Sequence, residues 1–179
     1  ATLHRRNFRE LPKLIEHAKA MSLDSISFLA ADTASAAFGR TPGAPGHDLT
    51  LTREEIVEFA DLVERTIVDC EDDFAGGFVS ESPERLRNLP RHYAALAGLG
   101  PFPPVRCNAP HVSVVIEADG TVKPCFFHRA VGNVRQEPLA HVVTRNLPAF
   151  RSQLNVSENP TCARCVCALR TTWRSAPWL

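Results

Sequence analysis

Six cysteines hold most of the chemistry open to this chain: Cys70, Cys107, Cys125, Cys162, Cys165 and Cys167. Five of them fall in the last 73 positions, and three lie within six residues in the run Cys162-Ala163-Arg164-Cys165-Val166-Cys167. Thiolates prefer zinc or iron–sulfur centres to hard cations. A secreted disulfide scaffold would be shorter and would spread its cysteines more evenly. Cys107 and Cys125 are separated by 17 residues that read as a hairpin, which returns the chain close to its start. Cys162 and Cys165 form a CxxC knuckle, which lets two sulfurs grip one centre. Two sulfurs from a hairpin base and two from a knuckle make a four-thiolate site, with structural zinc and an iron–sulfur cluster both open. Cys167 is expected to pack beside the ligands or to support them, with ligand exchange as the alternative. Cys70 lies on the apolar side of a helix and is expected in the core.

The hairpin is announced by Asp119-Gly120, the strongest short turn signal, between Val112 to Ile116 and Thr121-Val122. Pro124 marks the return strand as an edge or as ending. Residues 137–154 read as a helix broken near Asn146-Leu147-Pro148, and Asn159-Pro160 turns the chain into the last cysteines. Upstream, the chain reads strand, helix, strand. Thr2 to His4 is a strand end, Phe8 to Ala20 has apolar residues at helical spacing with Pro12 tolerated near its start, and Ser25 to Ala30 is a buried strand. Such a βαβ unit must have parallel strands and needs neighbours on its edges. Gly39, Pro42, Gly43, Pro45 and Gly46 make residues 39–49 a loop or linker. Thr52-Arg53-Glu54-Glu55 is a capping box opening a helix with Ile56, Phe59, Ala60, Val63 and Ile67 on one face, and Gly76-Gly77 ends that region. Ser82-Pro83 starts another helix, with Leu86, Leu89, Tyr93 and Leu96, that stops near Gly98 and Gly100.

The 179 residues fit one domain or two small ones. Seventeen arginines and three lysines balance twenty acidic residues. A formal net charge of zero argues against a nucleic-acid partner or a polybasic membrane surface. Apolar runs fall short of the roughly 18 residues of a membrane helix, and the first residues carry no apolar signal region. Clustered thiols in such a chain point to a reducing, cytoplasmic setting. The chain opens on Ala1 inside what reads as a strand already under way, so it is expected to be cut from a longer protein. No Ser–His–Asp set, P-loop or GxGxxG is present.

The order of features in the cysteine-rich part resembles a known family. Cys107-Asn108-Ala109-Pro110 leads to Glu117-Ala118-Asp119-Gly120-Thr121-Val122-Lys123-Pro124-Cys125, then Gly132-Asn133-Val134, a helix, and Cys162-Ala163-Arg164-Cys165. This is similar to the auxiliary-cluster extension of radical S-adenosylmethionine (SAM) enzymes, the SPASM domain and its shorter twitch form, over roughly residues 105–170. Four ligands with no later cysteine pair resemble the single-cluster twitch form more closely. The resemblance implies one [4Fe–4S] cluster on Cys107, Cys125, Cys162 and Cys165.

It also implies an α/β fold in three parts: residues 1–48 as the end of a radical SAM partial (β/α) barrel, 49–104 as a helical linker, and 105–179 as the twitch-like cluster domain. In such a barrel the strand ends face the cofactor. Arg5 or Asn7 would then touch the SAM ribose or carboxylate, and Leu29 and Ala30 would line its adenine pocket. The plainer alternative makes Arg5 and Arg6 solvated and Asn7 a helix N-cap. Asp32 is expected to cap rather than to contact substrate. The family's SAM-cleaving CxxxCxxC is absent from this chain, so the chain alone is expected not to cleave SAM. SAM and a second [4Fe–4S] cluster would belong to the full-length parent, acting on a peptide or small-molecule substrate. A non-catalytic zinc module is the alternative.

Around the cysteines, His128 is expected as a surface or partly packed residue, with a cluster contact as the alternative. Lys123 and Arg129 either offset cluster charge or are simply solvated. Phe126 and Phe127 are expected to form a dry wall.

Overall fold

The computed structural model describes residues 1–33, 35, 37 and 49–169. Apart from Leu49, the Gly- and Pro-rich stretch at 39–49 lies outside the described residues, as does the chain after residue 169. The chain divides into two units, Ala1–Ala34 with Pro42–Pro103, and Ser35–Thr41 with Pro104–Leu179.

In the first unit, β1 (Thr2–Leu3) leads through a 3₁₀ turn (Phe8–Glu10) into α1 (Leu11–Ala20), which returns the chain to β2 (Leu29–Ala30). The two strands are parallel, Thr2 opposite Leu29 and Leu3 opposite Ala30. Pro12 sits in the first turn of α1, where no helical N–H is lost. The strand expected over Ser25 to Ala30 is shorter than its composition suggests. Ile26 makes a separate parallel bridge to Val79, so the two halves of that segment pair with different partners.

Next come α2 (Arg53–Asp69), α3 (Glu71–Ala75) and α4 (Pro83–Leu96). The capping box forms as its residues predict: Thr52 Oγ1 accepts from Glu55 N at 3.3 Å, and Glu55 Oε2 accepts from Thr52 N at 2.8 Å. Ser82 Oγ likewise caps α4, accepting from Arg85 N at 3.3 Å. At its end, Gly98 adopts φ +72° while Leu99 N donates to Ala94 O and Gly98 N to Ala95 O, a Schellman closure. Pro90 lies inside α4, where its missing N–H removes one helical bond.

The buried faces are Ile56, Phe59 and Val63 on α2 and Leu86, Leu89 and Tyr93 on α4, with Phe8, Leu11 and Ile15 from the βαβ segment. Phe59 stands 5.2 Å from Phe8 and 6.5 Å from Tyr93, ring centre to ring centre. Tyr93 Oη donates to Leu3 O at 2.6 Å and accepts from Ala31 N at 2.9 Å, tying α4 to both strands. Burial pushes its phenol up to about 12. Glu81 is also buried and accepts from Phe28 N at 2.9 Å; desolvation raises its carboxyl above the usual range. Cys70 is a correction: it is half-buried rather than in the core, because α2 ends there and Cys70 forms its junction with α3.

His92 is buried on α4, 6.0 Å from the Tyr93 ring and 5.4 Å from Phe102. Burial lowers its pKa below 6.5, and Asp32 opposes that only in part. The folded state therefore disfavours the imidazolium. The stabilisation is complete above the unfolded value of 6.5 and is lost as pH falls from there through the folded value. We expect the melting temperature to drop between pH 7 and pH 5, and His92→Phe to flatten that drop. Parallel melting curves of the two proteins across this range check it, and equal slopes would refute it.

The second unit contains α5 (Ala109–Val112), a three-stranded antiparallel meander, β3 (Val115–Ile116), β4 (Thr121–Lys123) and β5 (Gly132–Asn133), and then α6 (Leu139–His141), α7 (Leu147–Arg151) and α8 (Pro160–Ala163). β3 starts later than the alternation from Val112 suggests, because Ala109-Pro110 opens the short helix α5 that takes Val112. The Asp119-Gly120 turn forms: Gly120 has φ +88°, and Asp119 Oδ1 and Oδ2 accept from the Thr121 N–H and hydroxyl, both at 2.9 Å. A Cβ on Gly132 would lie 2.8 Å from Val142, so only glycine lets β5 pass this close to the helix. The helix expected to break near Asn146 to Pro148 instead runs on. A π turn (Val142–Asn146) joins α6 to α7, and Pro148 falls in the first turn of α7, where a missing N–H is tolerated. No helix among the described residues is long and apolar enough to cross a membrane.

Candidate metal centre

Each cysteine of the second unit owes its place to local chain geometry. Cys107 lies just ahead of α5, and its sulfur accepts from Ala109 N at 3.4 Å. Cys125 follows β4 by two residues. Ser113 Oγ lies 2.7 Å from Ala109 O and 3.0 Å from Pro124 O, sharing its one proton between the start of α5, next to Cys107, and the segment after β4 that carries Cys125. Arg151 on α7 adds a second clasp, donating from Nε to Pro110 O at 2.9 Å and from Nη2 to Ser113 O at 3.1 Å. Cys162 sits in the first turn of α8, where Asn159 Oδ1 accepts from Thr161 N at 3.0 Å and Cys162 N at 3.3 Å. Cys165 follows α8, and its sulfur accepts from Cys167 N at 3.3 Å. Asn108 N donates to Leu169 O at 2.8 Å, which brings the C-terminal cysteines back beside Cys107.

The result is one cavity of about 280 Å³ lined by Cys107, Cys125, Cys162, Cys165 and Cys167. None of the cysteines forms a disulfide. The rest of the wall is mostly apolar and includes Val105, Phe126, Phe127 and Leu169. Among the described residues, no three His, Cys, Asp or Glu side chains converge closely enough to hold one metal ion. Burial, with Cys125 and Cys107 adding to it, pushes the Cys162 thiol up to about 11. Burial likewise takes Cys165 up to about 12, against the Cys167 backbone bond that lowers it. Bare thiols so placed stay protonated at neutral pH, and a cationic centre reverses that by taking the thiolates as ligands. This donor set fits a sulfur-ligated metal centre.

Residues 107–166 match the family model of SPASM, an iron–sulfur cluster-binding domain. The match begins on Cys107, takes in Cys125, Cys162 and Cys165, and stops one residue before Cys167. It covers a third of the chain, and residues 1–106 lie outside it. No curated protein and no solved structure matches the chain.

Beyond the sulfurs, the matched segment holds a residue whose place the sequence does not reveal. His128 is buried, and its Nε2 lies 3.2 Å from Cys162 Sγ, so the expectation of a surface or partly packed histidine is corrected. Its ring packs edge-on to Phe150 at 5.2 Å. Only its position three residues after Cys125 hinted at this, since Cys162 is 34 residues away in sequence. Lys123 pairs across the hairpin with Glu117 at 2.8 Å, and Arg129 is exposed. Cys167 lines the cavity and touches Cys165 through its backbone.

The residues expected to meet SAM lie in the first unit. Arg5 Nε pairs with Glu55 at 3.0 Å. Asn7 offers no side-chain cap to the turn that follows it. Its Oδ1 accepts from His4 N at 2.8 Å, and its Nδ2 donates to Thr2 O at 3.0 Å. Leu29 is half-buried, and Ala30 is buried in the core.

Proposed function

We propose that this chain is the auxiliary-cluster portion of a radical SAM enzyme that modifies a peptide or a small molecule. In it, Cys107, Cys125, Cys162 and Cys165 hold one [4Fe–4S] cluster. The observation that carries this reading is the single thiol-lined cavity inside a segment that matches an iron–sulfur family model. A lone tetrahedral zinc asks for four sulfurs about 3.8 Å apart, given a Zn–S bond of ~2.3 Å. The match to an iron–sulfur family model over the segment that carries these sulfurs favours a cluster over zinc.

When bound, such a cluster supplies one-electron chemistry or an iron that holds substrate. The protein's own part is to place and insulate it. Ser113, Arg151 and Asn159 fix the segments that carry the cysteines. The Ala109 and Cys167 N–H groups donate to the Cys107 and Cys165 sulfurs and soften their charge. Phe126 and Phe127 line the cavity, but Phe126 is 45% exposed, so the dry wall expected of the pair is only partly formed.

The first unit's parallel strands joined by α1 are compatible with the end of a partial barrel. In the complete barrel, Arg5, Asn7, Leu29 and Ala30 would form the edge facing SAM, and Arg5 would share its Glu55 pairing with the cofactor. The SAM-cleaving CxxxCxxC would come from outside this chain, which holds no such motif.

Anaerobic reconstitution of the purified chain with iron and sulfide tests the reading. About four irons and four sulfides per chain, with brown charge-transfer absorbance, are expected. Stoichiometric zinc that iron does not displace would overturn it in favour of a structural zinc module.

A further inference from the structure

We propose that His128 is a positioning residue for the metal centre, donating its Nε2 proton to the Cys162 sulfur and so raising the reduction potential of the cluster. This rests on the cluster reading above and extends it to a residue outside the four thiols.

Three observations support the proposal. First, Nε2 stands 3.2 Å from Cys162 Sγ, within hydrogen-bond range for sulfur, and both residues are buried. Second, the ring is held in place. Its edge-on contact with Phe150, at 5.2 Å between centres and 66° between planes, and its position three residues after Cys125 leave it little freedom. Third, His128 lines the same cavity as the sulfurs.

The direction of the bond follows from the chemistry. A cysteine that ligates metal is a thiolate and has no proton to donate, so the proton between the two atoms must sit on Nε2. Reduction adds negative charge to the cluster and its sulfurs. A donor aimed at one of those sulfurs stabilises the reduced form more than the oxidised form, which moves the potential upward.

His128 also joins the two halves of the site. It stands on the hairpin side, just after Cys125, and bonds to Cys162 on the C-terminal knuckle. The donor therefore senses and fixes the distance between the segments that hold the centre.

The experiment compares the reconstituted full chain with His128→Phe and His128→Gln, reading iron and sulfide content, midpoint potential and exchangeable-proton couplings of the reduced cluster in D₂O. The wild type should show an exchangeable proton coupled to the cluster. His128→Phe should keep its iron, lose one exchangeable coupling while those of the Ala109 and Cys167 amides remain, and titrate at a lower potential. His128→Gln, which retains an N–H donor, should recover part of the potential. If the wild-type spectrum lacks the coupling, or if His128→Phe holds full iron at the wild-type potential, His128 has no such role although the cluster reading stands. If His128→Phe loses iron as completely as a cysteine variant, His128 is a ligand and the proposal is wrong. A wild-type chain that takes zinc and no iron removes the cluster reading itself.

Discussion

Cys125→Ser should abolish cluster retention, taking iron from about four per chain to near none after reconstitution and desalting. A serine hydroxyl is a hard donor that does not ionise near neutral pH, so it replaces a thiolate poorly at a soft metal. Cys125 also follows the Pro124 carbonyl by which Ser113 clasps the hairpin to the Cys107 segment, which fixes its position at the cavity. Cys162→Ser should match it, because Cys162 N is held by Asn159 and its sulfur by His128. Cys167→Ser is the control. It removes a thiol at the same cavity but keeps the backbone N–H that bonds Cys165, so iron content should stay within error of wild type. Iron and sulfide assays with circular dichroism separate ligand loss from unfolding. Undiminished iron in Cys125→Ser would remove that residue from the ligand set, and lost iron in Cys167→Ser would show that the wrong four had been chosen.

Phe59→Ala should be the most damaging single change to the first unit, at about 3–5 kcal/mol. Phe59 is fully buried on α2, and its ring meets both Phe8, within the βαβ segment, and Tyr93 on α4. Truncation leaves a cavity where three elements meet, and neighbours anchored as Tyr93 is to two strands cannot collapse into it. Against a typical total of about 5–15 kcal/mol, that loss is a large share. Phe59→Leu fills most of the space and should cost much less. Chemical denaturation of the three proteins measures the difference. A loss below ~1 kcal/mol in Phe59→Ala would show that the three elements do not depend on this contact.

The features that the chain announces in advance are those completed within a few residues. The Thr52–Glu55 capping box, the Ser82-Pro83 start, the Gly98 closure and the Asp119-Gly120 turn all form where their residues place them. Each satisfies backbone groups that lie close by in sequence, so no distant partner is needed to decide it. Features whose extent depends on distant partners are less predictable. Apolar content marks Ser25 to Ala30 as a strand, yet its two halves find Val79 and Leu3, and the ladder is interrupted between them. Pro148 suggests a break, but a π turn whose first residue, Val142, is buried leads straight into α7, where Leu147 is buried as well. The helical face containing Cys70 looks buried until the chain turns at that residue.

For the metal centre, residue types and their order carried the chemistry. Four thiols divided between a hairpin and a CxxC mark a sulfur-ligated centre, and their sequence pattern matches an iron–sulfur domain. What the cysteine order left open was which other side chains share the site. His128 became part of it, Lys123 turned to Glu117, and Arg151 became a clasp. A ligand's chemistry belongs to its atoms and can be read residue by residue. A hydrogen bond between residues 34 apart exists only because the folded backbone brings their segments to within 3.2 Å, and that path is set by packing across the whole unit.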